Sequence, residues 1–368
     1  MKLICEGLNL SDAVLKVIRA TATRTTNPIL EGIKLKASED TLTLSATDLE
    51  ISIEKTIPAD VKIQGEVVVL GKIFSEFIKK LSKEQLELET TDKNELLIHY
   101  GENTATLQCL NGDEFPTIKN IKSSKEIEIN KTELKRAIDK TVCCAAIDDA
   151  RPILKGCLFE IGNGNLTVVA LDGYKLAKYE TQINSNDTMK CIVPTKSLNE
   201  ISKLLITANK DEKIKLNISD NYLMIDDDNT KIISRLILGE YLNYKQVIPQ
   251  TFKTRIKINR AQLETGLERC SLFTKLDKNN MVKLDINQNT LVISSASSIG
   301  NTKENINIEC EGGNLLIAFN SNFFNECVKQ ISDEFIYVNF GGQYNPCTIT
   351  GTEDNKSLYL VLPVRIVD

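Results

Sequence analysis

Tryptophan is absent from this chain and histidine occurs once, at His99. The first absence, with an aromatic content of 5%, argues against single-strand binding by base stacking, which needs a row of exposed rings. The second leaves no histidine for another role in acid-base or nucleophilic chemistry. His99 itself stands in the alternating run Leu96-Leu97-Ile98-His99-Tyr100, where a lone strand histidine reads as structural. No segment approaches the roughly 18 consecutive apolar residues of a membrane span. The N-terminal run Met1-Lys2-Leu3-Ile4-Cys5 is closed by the acidic Glu6, where a signal peptide would stay apolar, so the chain is expected to be cytoplasmic.

Metal and nucleotide motifs are missing as well. The ten cysteines include no Cys-x-x-Cys; only Cys143 and Cys144 are neighbours, and adjacent cysteines are expected to point to different faces as small buried residues in a reducing compartment. Asp226-Asp227-Asp228-Asn229 lacks the alternation, glycine and distal glutamate of a calcium loop and reads as a solvated turn. Gly162-Asn163-Gly164 lacks the third glycine of a nucleotide fingerprint and reads as a hairpin turn. No catalytic residue, metal ligand or cofactor is therefore expected. Nor does either charge dominate: 50 Asp and Glu stand against 45 Lys and Arg, so any nucleic-acid contact has to come from one segregated basic face.

What the chain does contain is a repeat. Pro28-Ile29-Leu30-Glu31-Gly32 returns 124 residues later as Pro152-Ile153-Leu154-Lys155-Gly156, and Leu42, Thr43, Ala46 and Asp48 return as Leu166, Thr167, Ala170 and Asp172. A fainter third copy runs from Asn280-Met281-Val282-Lys283-Leu284 to Leu291-Val292-Ile293-Ser294-Ser295-Ala296. The helical patterns Ser75 to Leu81, Asn199 to Leu205 and Asn325 to Ile331 step by 124 and then 126. Repeats this long are domains, not solenoid units. The expectation is three α+β copies, residues 1–122, 123–251 and 252–368, each reading helix, strands, helix, strands. Their joints are placed at Lys119 to Lys125 and Pro249 to Thr254.

Each copy opens on an amphipathic helix. Leu10, Val14, Val17, Ile18 and Thr21 share one side of the first, Leu134, Ala137, Ile138, Thr141 and Ala145 of the second, and Leu263, Gly266, Leu267 and Cys270 of the third. Asn9 or Ser11, Asn130 and Asn259 stand as N-caps. Lys16 and Arg19, and Arg136 and Lys140, lie on the outward faces of the first two; Lys79, Lys203 and Lys329 repeat on the second helices. Side by side, these would form a basic band that meets phosphates without reading bases. The plain alternative is a solvated helix surface, since Glu76, Glu200 and Glu326 lie one turn away. The C-terminal run Ser357-Leu358-Tyr359-Leu360-Val361-Leu362-Pro363-Val364-Arg365-Ile366 is a strand expected to leave its sheet at the proline and line a groove, with a plain terminal strand as the alternative.

Three diverged copies, Thr47-Asp48-Leu49-Glu50, Asp172-Gly173-Tyr174-Lys175-Leu176-Ala177 and the ending Leu362-Pro363-Val364-Arg365 together resemble the bacterial sliding clamp family, the beta subunit of DNA polymerase III, from end to end. The resemblance implies the DNA clamp fold, a six-domain ring built as a head-to-tail homodimer, no enzymatic activity, and passage of duplex DNA through the ring. Its implied partners are duplex DNA without sequence preference, a second copy of the chain, a clamp loader ATPase, and polymerases and other proteins that insert short linear peptides; no membrane is implied.

Carried over residue by residue, the peptide pocket falls on Leu154, Leu171, Gly173, Tyr174, Lys175, Leu176, Leu242 and Val247, with Asn320, Phe323, Val361, Leu362, Pro363, Val364 and Arg365. Well-studied members carry proline, arginine and phenylalanine where Leu242, Gln246 and Asn279 align, and Val367 and Asp368 extend the usual ending. Duplex contacts map onto Arg24 and Arg151, beside the helical Lys79, Arg136, Lys140 and Lys203; the loop with Arg151 is more acidic here, with Asp148 and Asp149. Ala105 and Leu107 of one subunit are expected to face Leu272 and Phe273 of the other. A three-domain scaffold or adhesion protein that never closes around DNA is the runner-up, and an enzyme comes third.

Overall fold

The computed structural model describes residues 1–118, 125–185, 187–206, 209, 211–274 and 280–366. Most of the expected first joint, together with Asn279, Val367 and Asp368, lies outside them.

The repeat is visible as structure. The first third carries β1 (Lys2–Glu6), α1 (Gly7–Val17), β2 (Gly32–Ser38), β3 (Thr41–Thr47), β4 (Ile51–Pro58), β5 (Asp60–Ile63), β6 (Gly65–Leu70), α2 (Gly71–Ile78), β7 (Gln85–Thr90), β8 (Glu95–Tyr100) and β9 (Asn103–Leu110). The second carries β10 (Lys125–Asn130), α3 (Lys131–Thr141), β11 (Gly156–Gly162), β12 (Asn165–Leu171), β13 (Lys175–Gln182), β14 (Met189–Pro194), α4 (Thr195–Leu204), β15 (Lys213–Ile218), β16 (Tyr222–Asp227) and β17 (Thr230–Arg235). The third carries β18 (Thr254–Asn259), α5 (Arg260–Thr274), β19 (Met281–Asn287), β20 (Thr290–Ser297), β21 (Gly300–Asn307), β22 (Glu309–Gly312), β23 (Leu315–Asn320), α6 (Ser321–Lys329), β24 (Phe335–Phe340), β25 (Cys347–Gly351) and β26 (Ser357–Val361). Gly32 and Gly156 open corresponding strands, as Thr41 and Asn165 do. Each third begins with a strand ahead of its first helix, so the repeating order is strand, helix, strands, helix, strands.

By contact the chain groups into two compact units: Met1–Thr132 with Lys196–Leu236, and Glu133–Thr195 with Ile237–Asp368. The first unit holds a 13-stranded sheet in the order β10-β15-β16-β17-β4-β3-β2-β6-β9-β8-β7-β1-β5. Its continuity depends on β17 pairing antiparallel with β4, Ile232 opposite Ile53. The second unit holds a nine-stranded sheet, β14-β11-β12-β13-β26-β25-β24-β18-β22, and a four-stranded one, β21-β20-β19-β23. There β13 pairs with β26, Leu176 opposite Leu360.

The amphipathic faces bury as their spacing requires. Leu10, Val14 and Val17, then Leu134, Ala137, Ile138 and Thr141, and Leu263, Leu267 and Cys270 are all buried. The caps follow the sequence less closely. Asn259 does cap α5, accepting from the Gln262 N–H at 3.1 Å. Helix α1, however, starts at Gly7 with Glu6 in the cap position and no side-chain cap bond, so neither Asn9 nor Ser11 caps it. A close tertiary approach meets that start: the Gly7 N–H, which has no partner within the helix, donates to Glu84 O at 2.9 Å, and a Cβ at Gly7 would stand 2.2 Å from Leu81 O.

The glycine reading holds and the acidic one holds in part, since Asp226 and Asp227 end β16, where Asp227 pairs with Lys131 at 2.8 Å, and only Asp228 and Asn229 form the turn. Asn163 (φ 53°) and Gly164 (φ 73°) close the β11–β12 hairpin, and Asp228 (φ 40°) and Asn229 (φ 58°) close β16–β17. These are left-handed pairs, as two-residue hairpins favour. The adjacent cysteines differ from expectation. They do not face apart, because a tight 3-10 turn over Val142–Cys144 brings Cys143 Sγ within 3.8 Å of Cys144 Sγ. Cys144 Sγ in turn lies 3.9 Å from Cys327 Sγ on α6. All ten cysteines are free. Hydrogen bonding to Cys144, and then burial, push the Cys143 thiol pKa far up, so these thiols pack as small apolar groups.

Candidate functional site

The residues expected to line a pocket all fall in the second compact unit, and a chain of local structures brings them together. The first is the turn between β12 and β13. Asp172 Oδ1 accepts the Tyr174 N–H at 2.8 Å and the Lys175 N–H at 2.9 Å. Gly173 takes φ +97° between them, a conformation glycine adopts without steric penalty. The first third builds the same turn with Asp48, whose Oδ1 accepts from Glu50 and Ile51. Leu49 there occupies the left-handed position (φ 76°) with a side chain. Burial outweighs the two donors at Asp172 and raises its carboxyl pKa.

The turn presents Tyr174 outward, 61% exposed, and Lys175 inward, 7% exposed. Tyr174 stacks on Phe323 of α6 with ring centroids 5.7 Å apart. The Lys175 ammonium donates to Cys143 O at 2.7 Å, pairs with Glu326 and lies 5.4 Å over the Phe323 ring. Burial works against its charge, but the Glu326 carboxylate more than offsets this and its pKa is raised. Asn320 sets the start of α6, accepting from the Asn322 and Phe323 N–H groups at 3.0 and 3.3 Å.

The C-terminal run behaves as the proline dictates. Strand β26 stops at Val361, two residues before Pro363. The Leu362 N–H then donates to Tyr174 O at 2.8 Å, and Val364 crosses to β23, its N–H on Ala318 O at 2.8 Å. Leu362, Pro363, Val364 and Arg365 thus edge the same surface as Tyr174.

Beneath lies an apolar cluster in which Leu154, Leu171, Leu176 and Leu360 are buried with Leu158, Val169, Ile192 and Tyr244. Leu242 and Val247, each 49% exposed, flank Tyr244 in the next loop. Sequence reasoning missed what holds that loop. The Tyr241 hydroxyl donates to Gly156 O and accepts the Leu171 N–H, both at 3.2 Å. The Tyr244 hydroxyl donates to Glu160 at 2.6 Å, and Lys190 and Lys245 reach the same carboxylate at 3.0 and 3.2 Å. Burial opposes the charge, yet these three donors hold the Glu160 pKa down at about 2. Three tyrosines within Tyr241 to Tyr244 and at Tyr174, in a chain poor in aromatics, were the available signal. Ile147 (94% exposed) and Leu238 (69%) belong to the same unit and add exposed apolar surface to it. The result is an open apolar surface with fixed polar edges, which suits an extended peptide with alternate anchoring side chains.

The expected phosphate-contact residues divide. Arg24, Lys79 and Arg151 are exposed and carry no ion pair among the described residues. Arg136 pairs with Glu133 at 3.0 Å, Lys140 with Asp354 at 2.8 Å and Lys203 with Glu200 at 2.6 Å. Lys16 pairs with Asp12 at 2.9 Å, Arg19 with Glu200 at 3.2 Å and Lys329 with Glu268 at 2.7 Å. In the loop before Leu154, Asp149 is bound to Lys155 at 2.5 Å.

Of the expected joint residues, Ala105 and Leu107 lie half-buried on β9. That strand pairs with β8 along six positions but with β6 only through Leu110 and Cys109, so among the described residues no strand lies on the other side of residues 103–108. Leu272, 55% exposed, and the half-buried Phe273 end α5. Phe273 covers Gly300 at the start of β21, the edge strand of the four-stranded sheet.

Comparison with known proteins agrees along the whole chain. Residues 1–119 match the family described as DNA polymerase III beta subunit, N-terminal domain; residues 128–243 match its central domain and residues 245–365 its C-terminal domain. The beta sliding clamp of Staphylococcus epidermidis is 31% identical over 359 residues, covering 95% of each chain. That of Halalkalibacterium halodurans is 32% identical over 364 residues with the same coverage. Among solved structures, the DNA polymerase sliding clamp from Bacillus subtilis superposes with a TM-score of 0.95 at 31% identity, and the DNA polymerase III beta subunit from Thermotoga maritima with 0.93 at 28%, each over 100% of both chains.

Proposed function

The chain belongs to the DNA polymerase III beta subunit family, the beta sliding clamps, and we propose that it encircles duplex DNA and tethers the replicative polymerase by topology and not by tight binding. The fold is the three-domain clamp fold, and the family selects a role in DNA replication over that of a scaffold that never meets DNA. The observation that carries the reading is the in-order match of all three family domains across residues 1–365.

In this reading the domains are residues 1–122, 123–251 and 252–368, and two copies close head to tail into a ring. The uncovered edge of β9 supports the joint, since an unpaired edge strand is a ready template for another chain. Ala105 and Leu107 then face Leu272 and Phe273 of the partner subunit. Duplex DNA is held without sequence readout, through phosphate contacts from Arg24, Lys79, Arg136, Lys140, Arg151 and Lys203. The surface between Tyr174, Phe323, Leu242, Val247 and residues 361–365 takes short linear peptides from polymerases, from a clamp loader ATPase and from other DNA-processing proteins. The protein works in the cytoplasm, where the chromosome is, and performs no chemistry of its own.

Primer extension on a singly primed circular template, with the polymerase and loader of its own cell, tests this. Adding the protein should lengthen the products made in a single binding event; unchanged product lengths would sink the proposal.

A further inference from the structure

Among the described residues, six of the seven basic residues that repeat along the helices, all but Lys79, carry a carboxylate partner. One carboxylate serves two of them. Glu200 on α4 receives Arg19 through Oε2 at 3.2 Å and Lys203 through Oε1 at 2.6 Å, all three within the first compact unit. The Glu200 side chain is 22% exposed, against 36% for Arg19 and 53% for Lys203, so the cations stand outward of their counter-charge.

On the clamp reading, we propose that Glu200 is a damper on phosphate contact. It lowers the net charge of the triad from +2 to +1 and keeps Arg19 and Lys203 from gripping the duplex, which a sliding ring requires. An exposed ion pair contributes little net stability, because solvent screens it and two long side chains must be ordered to make it, so the pairing itself is weak. What persists when a phosphate approaches is the negative charge beside it.

Counterion release turns this into a measurable slope. Each cation effectively added to the contact steepens the fall of log K with log salt by about 0.9. Glu200→Gln should therefore steepen the slope by about 0.9 and tighten binding about eightfold for a tenfold drop in salt.

Glu66→Gln is the control, because it removes the same charge elsewhere in the same unit. Glu66 pairs with Lys34 at 2.9 Å. Lys34 alternates on β2 with buried Ile33 and Leu35. Ile33 packs against Gly71 at the start of α2, so Lys34 and Glu66 are on the sheet face away from the helices.

The experiment is fluorescence anisotropy of a labelled 30-bp duplex with micromolar dimer across a salt series, alongside thermal melting and retention on a nicked circular plasmid. Glu200→Gln should bind more tightly with the steeper slope, Glu66→Gln should match wild type, and adding Arg19→Gln to Glu200→Gln should return the slope to the wild-type value. That last variant keeps the test valid if Glu200 also braces α4, since a structural defect would not be repaired by removing a second charge. An unchanged slope in Glu200→Gln, no gain of binding at low salt, or equal steepening in Glu66→Gln would overturn the proposal while wild type remained on the circle. Failure of wild type to stay on the circle would overturn the clamp reading instead.

Discussion

The Lys175 ammonium and the Glu326 carboxylate are ion-paired between β13 and α6, tying the strand that carries the Tyr174 turn to the helix that carries Phe323. Only 7% of the Lys175 side chain is exposed, against 48% for Glu326, so the lysine is the desolvated partner. Glu326→Gln should leave a buried cation without its counter-charge and destabilise the protein by roughly 1–3 kcal/mol. Replacing both, with Lys175→Met added, should recover most of that loss, because an apolar pair needs no compensation. Urea unfolding of the two single variants and the double variant measures it; equal losses in Glu326→Gln and the double variant would remove the pairing argument.

Peptide binding should depend on the polar-edged apolar surface and not on ring assembly. Phe323→Ala removes the ring under Tyr174 and should weaken a labelled clamp-binding peptide at least tenfold. Deleting residues 363–368 should abolish binding while the sedimentation coefficient stays that of wild type. Unchanged peptide affinity in the deletion would place the pocket elsewhere.

Glu160 gives the surface a pH signature. Its carboxyl is held near pKa 2 in the folded protein, against about 4.3 for an unperturbed glutamate. A depressed folded-state pKa stabilises above the unfolded value, and that contribution disappears as pH falls from about 5 to about 2. Glu160→Gln should therefore be less stable than wild type at pH 7, with the two melting temperatures converging toward pH 2. Because Tyr244 bonds to this carboxylate, the variant should also loosen the loop of Leu242 and Val247 and weaken the peptide several-fold. A constant difference in melting temperature from pH 7 to pH 3 would contradict the assignment.

The subunit joint should break at α5. Leu272→Asp places a charge on a side chain that is 55% exposed in one subunit, so the fold should survive while the dimer does not. Phe273→Asp should also give monomers, with some loss of stability because its ring covers Gly300. Analytical ultracentrifugation at micromolar concentration, with circular dichroism for the fold, separates the two; dimers from both variants would remove α5 from the joint.

Much of this was legible in the sequence because it is local. The left-handed turns at Asn163-Gly164 and Asp228-Asn229 and the break of β26 before Pro363 follow from residues next to one another, and the 124-residue repeat from comparing short runs of the chain with each other. The family resemblance, and not spacing, assigns Leu154, Leu171 and Leu176 to a pocket; the structure buries all three. What stayed hidden depends on partners remote in the chain. Glycine is required at the first position of α1 because a Cβ there would stand 2.2 Å from Leu81 O. Lys140 meets Asp354 across 214 positions, and Arg19 meets Glu200 across 181. Spacing placed Arg136, Lys203 and Lys329 on exposed faces, but Lys140 is only 16% exposed, and no spacing rule could say that all of the repeating helical cations but Lys79 are already held by a carboxylate.

The measurement that bears most directly on the clamp account is retention on DNA whose ends are controlled. Protein loaded on nicked circular plasmid is separated by gel filtration before and after a single cut makes the plasmid linear. The account predicts that the dimer travels with the circle and falls off once the circle is cut. Equal retention on circular and linear DNA would contradict it, since ordinary surface binding does not distinguish a circle from a line.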